Sequence, residues 1–356
     1  MRIAILWKQM SGFAAATFAA LRDLGTEVLL VHRSATADAP FNDDRLDLGI
    51  GAWAWTQQPG DAELAERVAA FDPHAVLVIS WDVGVYRRLS RSLQGRTLRI
   101  LCMDNAWLGT PKQWAGRLAA PWLIRPTYDA AFLPGDRQAA FARYLGFPDE
   151  RILWGLNTCD HAALAKVAAA RAGDLPERFL FTGRLVPEKG IDVLASAYAT
   201  YCESSARPWP LTVCGTGPLA SAFDGLANVE LLGFVQPGEI GSVYARAGCL
   251  VMPSRFEPWG VAIHEATSAG LPVICTSACG ASSRLVLDGF NGALVSAGEA
   301  AALAAALARI ADPATDRATL GRHSTELALQ FTPQRWAGYL TERVTWLRRH
   351  LGLDRG

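Results

Sequence analysis

Short, nearly continuous apolar runs alternate with longer segments of helical spacing along almost the whole chain, and few folds satisfy that alternation. Residues 2–6, 27–31, 75–79 and 98–102 are β-rich runs, and the periodicity predicts helices over 13–24 and 62–71. Strands apolar on both faces must be covered on both faces. Parallel strands joined by crossover helices meet that need. A further helix is expected over 136–145, and a strand or linker over 151–156. From residue 178 the alternation starts afresh, with strands expected at 178–181, 211–214, 229–232, 249–252 and 272–275. Helices are expected at 191–201, 239–246, 261–269 and 300–310. The fold class is therefore α/β, with two Rossmann-like parallel sheets. The 356 residues suit two domains at roughly 100–200 residues each. Gly and Pro near 172–176 mark the expected junction, giving domains over 1–172 and 173–332, with an amphipathic helix from Pro333 onward.

Several functional classes fall away. Lys and Arg balance Asp and Glu at 34 each, so the whole molecule carries no bias toward nucleic acid or an anionic membrane. The seven cysteines are scattered without a Cys-x-x-Cys pair, which points to a reducing compartment rather than a metal or disulfide framework. The N-terminus lacks the long apolar stretch of a signal peptide. A cytoplasmic location is expected.

Two segments carry chemistry. Thr182-Gly183-Arg184-Leu185-Val186-Pro187-Glu188-Lys189-Gly190 follows an expected strand and opens a helix. Gly183 permits a sharp turn beside a ligand. Arg184 and Lys189 set two cations near a helix N-terminus, as a diphosphate requires. In isolation the same loop reads equally as a surface turn with two solvated charges. The second segment, Pro253-Ser254-Arg255-Phe256-Glu257-Pro258-Trp259-Gly260-Val261-Ala262-Ile263-His264-Glu265-Ala266, puts Glu257 before a helix and Glu265 inside it. Glu265 lies among small and apolar residues, where a carboxylate needs a hydroxyl or cation partner. A ribose diol would supply one; a solvent-facing glutamate is the plainer alternative. Between them, Gly215-Thr216-Gly217-Pro218 forms a tight turn after a strand.

Taken in order, Gly-Arg-Leu-x-Pro-Glu-Lys-Gly, Gly-x-Gly-Pro-Leu, Leu-Gly-Phe-Val and Pro-Ser-Arg-x-Glu-Pro-Trp-Gly-x4-Glu-Ala resemble the retaining glycosyltransferases of the GT-B fold, family 4, over residues 178–295. The resemblance implies two Rossmann-like domains facing a central cleft, with the helix over 333–356 packing back on the first. It implies a nucleoside-diphosphate sugar as donor, UDP first and GDP second, with no metal or other cofactor. Arg184 and Lys189 would hold the diphosphate and Glu265 the ribose. Glu257 would contact the sugar near the reacting carbon. The amides of Trp259, Gly260 and Val261 would bind sugar or diphosphate, with Gly215 and Gly217 walling the nucleotide and Val235 flanking the base. The catalytic set would be Glu257, Arg184 and Lys189. Two departures stand out. Arg284 occupies the place where relatives carry a glutamate in Gly-Gly-x-Pro-Glu. The usual Gly-Gly loop after the first strand is here Ser11-Gly12.

The first domain would take the acceptor, a saccharide, a lipid-linked or a small molecule, in surface-polysaccharide or glycoconjugate synthesis. Its candidates sit at strand ends: Gly12, Asp82, Asp104 and Asn105. Asp104 would orient an acceptor hydroxyl or, equally, cap the next helix. Tryptophans at 53, 55, 81, 107, 114 and 122 offer faces to sugars, although core packing explains at least half of them. No nucleic-acid partner is expected, and membrane contact is peripheral at most, at the inner face, through Arg343, Arg348 and Arg349, for which a solvated helix face is the plainer reading. The alternatives are a GT-B sugar-nucleotide epimerase, which would isomerise donor without acceptor, and a non-catalytic sugar-nucleotide-binding subunit.

Overall fold

The computed structural model describes residues 1–10, 12–34, 50–171 and 175–354. They pack as two units, Met1–Thr158 with Pro333–Gly356, and Cys159–Thr332.

In the first unit the described residues form a parallel sheet in the order β3-β2-β1-β4-β5-β6-β7. The strands are β1 (Arg2–Gln9), β2 (Glu27–Arg33), β3 (Gly51–Trp55), β4 (Ala75–Ile79), β5 (Leu98–Cys102), β6 (Ala130–Leu133) and β7 (Ile152–Trp154). Side chains alternate faces along a strand. On β1, Ile3, Ile5 and Trp7 enter one core, while Ala4 and Leu6 enter the other. Both faces are thus apolar, as the unbroken runs require. Between β5 and β6 the polar ends are fixed by Arg99, almost wholly buried, which grips both Asp129 carboxylate oxygens at 3.0 and 2.7 Å.

The chain leaves this unit at Thr158 and returns at Pro333. Helix Pro333–His350 then covers the Ile3 face with Trp336, Leu340, Val344 and Leu347. Trp336 stacks on Phe132 with ring centroids 5.7 Å apart, and its indole N–H donates to the Leu156 carbonyl at 3.0 Å. Arg348 is buried and donates to the His74 and Leu353 carbonyls.

The second unit repeats the scheme in the order β10-β9-β8-β11-β12-β13, again parallel. Its strands are β8 (Phe179–Thr182), β9 (Leu211–Cys214), β10 (Val229–Gly233), β11 (Cys249–Met252), β12 (Val273–Thr276) and β13 (Gly292–Val295). The unit begins earlier than the Gly and Pro signal at 172–176 suggests. Helix His161–Ala170 is held to it by Ser268, whose hydroxyl meets Cys159 Sγ at 3.2 Å and His161 Nδ1 at 3.1 Å. Arg171 then donates to the Ala269 carbonyl at 2.6 Å. Tertiary contacts therefore set the boundary at Thr158/Cys159, ahead of the local chain breakers.

Trp336 is the central plug of the returning helix, so Trp336→Ala should destabilise the first unit by about 3–5 kcal/mol. The midpoint of urea unfolding, followed by a probe in that unit, checks this.

Candidate active site

In a doubly wound sheet the strand order reverses once, and the loops leaving the two central strands diverge there, opening a crevice at their carboxyl ends. In the second unit that point lies between β8 and β11. The loop after β8 is residues 183–190 and the loop after β11 is 253–260, so the two motif segments come together for a topological reason.

The loops are laced to each other. The Arg255 and Phe256 amides both donate to the Glu188 carbonyl, at 2.8 and 3.1 Å. The Arg255 guanidinium grips both Asp192 oxygens at 2.6 Å, fixing the start of helix Ile191–Ser204. Gly190, in the left-handed region at φ 68°, lies so close to the Pro253 carbonyl that a Cβ would strike it. These contacts bring Lys189 and Glu257 into a direct ion pair with little exposure, 16% and 10% of the two side chains. Arg184 is exposed on the same loop and makes no ion pair among the described residues.

Gly260, at φ 98°, caps helix Val261–Ser268 and packs 3.2 Å from Glu257 Cγ, measured to where its Cβ would lie. The amides of Trp259, Gly260 and Val261 have no acceptor among the described residues. They sit at the positive end of the helix, next to the Lys189–Glu257 pair. Behind them the chain is tied down, since Gly280 donates to the Glu257 carbonyl at 2.9 Å and Ala281 to that of Trp259 at 2.7 Å. The Arg284 stretch thus supports the Glu257 loop from below, and Arg284 itself is exposed.

Gly183 and Gly215 lie backbone to backbone, with the Gly183 amide donating to the Cys214 carbonyl at 2.9 Å. Gly217 lies equally close to Leu185. Glu265, one helical turn into Val261–Ser268, is partly buried and accepts a hydrogen bond from Tyr244 Oη at 2.8 Å. Burial pushes its carboxyl up to about 7, against the pull of the Tyr244 hydroxyl. Burial raises the neighbouring Cys214 thiol and the Glu265 charge adds to it, while the Thr182 hydroxyl and the Val235 amide, near the same sulfur, pull the other way. Val235 and Glu265 therefore border one region at the end of β9. The adjacent His264 is fully buried, and burial pushes it down to about 3, which keeps it neutral and out of proton exchange.

In the first unit the reversal lies between β1 and β4. Lys8 on β1 pairs with Asp82, just past β4, at 2.7 Å. Partial burial pushes the Asp82 carboxyl up, but hydrogen bonds from Lys8 and Ser80 prevail and hold it below its ordinary value. Asp104 and Asn105 are exposed past β5. Asp104 does not cap the next helix; Thr110 does so, in a reciprocal pair with Gln113. Gly12 opens helix Gly12–Asp23, nothing is described of its surroundings, and Ser11 lies outside the described residues.

The motifs do not reveal Lys8 and Tyr244 as partners. Tyr244 stands 21 positions from Glu265, in the helix expected over 239–246, and only the fold joins them.

Comparison with known proteins follows the same geography. Residues 168–326 match the family model described as glycosyl transferases group 1. An uncharacterized glycosyltransferase of Methanocaldococcus jannaschii is 29% identical over 159 residues, 43% of each chain. The D-inositol 3-phosphate glycosyltransferase of Salinispora tropica is 31% identical over 189 residues, 48% of this chain and 39% of that protein. The chain thus spans about two fifths of the length of these curated relatives. Among solved structures, Anabaena HepE in complex with UDP and glucose superposes with a TM-score of 0.75 at 18% identity, covering 97% of this chain and all of that one. The two parallel-sheet Rossmann-like units give this chain the GT-B fold, and within the second of them residues 168–326 match the glycosyl transferases group 1 model.

Proposed function

We propose that this protein is a retaining, metal-independent glycosyltransferase that uses a nucleoside-diphosphate sugar, UDP-linked before GDP-linked, and transfers the sugar to an acceptor hydroxyl. The observation that carries this reading is the Lys189–Glu257 pair set beside the unclaimed amides of Trp259, Gly260 and Val261. An anion entering there meets Lys189, Arg184, three N–H donors and the positive end of a helix. That is what a diphosphate leaving group needs as charge develops on it. The HepE structure, of the same fold, holds UDP and glucose.

In this reading Lys189 turns from Glu257 to the diphosphate, and the freed Glu257 carboxylate accepts a hydroxyl of the donor sugar. Glu265 accepts both ribose hydroxyls, with Val235 beside the base. The bond from the anomeric carbon to the diphosphate oxygen breaks and a bond to the acceptor oxygen forms on the same face. The acceptor proton passes to the departing phosphate oxygen, so no further base is needed. The first unit takes a saccharide, lipid-linked or small-molecule acceptor near Asp82, Asp104 and Asn105, as in surface-polysaccharide or glycoconjugate synthesis in the cytoplasm.

Lys189→Ala should weaken nucleoside-diphosphate binding by about 10–100-fold, since it removes charge-assisted hydrogen bonds, while leaving the fold intact. Calorimetry with UDP and GDP, with and without EDTA, reads this, and unchanged affinity would sink the diphosphate assignment. Radiolabelled donor incubated without acceptor separates the rival chemistry, because isomerised sugar would mark an epimerase.

The raised Glu265 carboxyl makes binding depend on pH. Ribose hydroxyls donate to the ionised form, so nucleotide must displace a proton below about pH 7. Affinity for UDP should fall about tenfold between pH 8 and pH 6 beyond any change intrinsic to the nucleotide. Glu265→Gln should flatten that extra dependence; identical profiles for both proteins would refute the ribose assignment.

A further inference from the structure

We propose that helix Pro111–Leu123 of the first unit lies flat on an anionic lipid surface. A surface helix ordinarily turns its polar face outward. This one does the reverse. Its exposed positions are Pro111, Lys112, Trp114, Ala115, Leu118, Pro121 and Trp122, and only one of them is polar. Trp114, Leu118 and Trp122 stand four residues apart, so they form one stripe, exposed by 47%, 70% and 74%, with Leu108 continuing it at 59%.

The helix is built into place and is not a loose segment. Thr110 and Gln113 cap it reciprocally, and the Gln113 amide also donates to the Ala106 carbonyl at 2.7 Å. Ala120 and Ile124 are buried on its inner side. Trp107 supports it from beneath, edge-on to Trp114 at 5.3 Å and to Tyr144 at 4.7 Å. The apolar stripe is therefore held outward by a rigid base.

Charge selects the occupant. No Asp or Glu occurs from residue 105 to 128, whereas Lys112, Arg117 and Arg125 do. Arg91 adds a fourth cation, donating to the Trp122 carbonyl at 3.5 Å. Lys112 and Arg125 are exposed and make no ion pair among the described residues. Tryptophan and leucine on one side, bordered by cations, suit the boundary between acyl chains and anionic headgroups. With 13 residues the helix is about 20 Å long, too short to cross the apolar core of a bilayer. Of the C-terminal arginines expected to touch a membrane, Arg348 is buried and Arg343 donates to the Glu150 carbonyl, which leaves Arg349 as the exposed one. The inference does not depend on the transferase reading.

The test uses the full chain, without donor or acceptor, and sedimentation with vesicles of phosphatidylcholine containing about 30% phosphatidylglycerol, against phosphatidylcholine alone. The protein should pellet with the anionic vesicles and be released by raised salt. Leu118→Glu and Trp122→Glu should each lower the partition coefficient about tenfold or more, with an unchanged melting temperature because both side chains are already in solvent. Lys112→Glu with Arg125→Glu should lower binding to anionic vesicles alone. Failure to pellet, or pelleting indifferent to all these variants, overturns the proposal. So does a dimer in sedimentation velocity that Leu118→Glu dissolves while vesicle binding is absent, which would assign the stripe to a second copy of the chain.

Discussion

Reversal of strand order beside β8 governs nearly everything chemical in the second unit. Helices cover both faces of a parallel sheet, but they cannot cover the ends of two strands whose connections run in opposite directions. The loops after β8 and β11 are left to fill that gap with their own backbones. Close approach is then compulsory, which is why Gly190 sits against the Pro253 carbonyl and Gly183 against Gly215. A single methyl group at Gly190 would push the loops apart and carry Lys189 away from Glu257.

The charge states at this gap follow from how little water reaches it. Lys189 and Glu257 satisfy each other, so each is charge-compensated in surroundings that water reaches only in part. Glu265 has only a neutral hydroxyl, that of Tyr244, so burial wins and its carboxyl holds a proton up to about pH 7. One carboxylate is thus held ready by a cation, and the other waits for hydrogen-bond donors.

Much of the second unit was legible because its chemistry is local. Arg184 and Lys189 share one loop, and Glu257 and Glu265 share another segment, so their local pattern, and the family resemblance it carries, singled them out. Tyr244 and Lys8 were hidden because their partners are supplied by strand order, 21 and 74 residues away. Strands with weak signals were missed for related reasons. β3 is a five-residue edge strand, Gly-Ala-Trp-Ala-Trp, with no fully buried residue, only Trp53 and Trp55 half-buried against the core. β6 begins with two alanines, and β13 begins with glycine. Helix Pro111–Leu123 escaped because periodicity assumes apolar means inward, and there the large apolar residues point out. The boundary at Thr158 was likewise set by Ser268 and Arg171, contacts no local chain breaker announces.

The first unit offers a control within the same molecule. Its sheet reverses between β1 and β4 just as the second reverses between β8 and β11, and there too a lysine, Lys8 near the end of the first strand, pairs with a carboxylate after the fourth strand. The two pairs differ in solvent. Lys8 and Asp82 are exposed by 46% and 59%, against 16% and 10% for Lys189 and Glu257. An exposed pair contributes about 0–1 kcal/mol and is readily screened by salt. It can therefore open at small cost. The less exposed pair keeps a strong local field, reinforced by the free amides at the start of helix Val261–Ser268. Topology therefore gives each unit the same kind of crevice, and depth of burial, not residue type, sets how strongly the charges in each are felt.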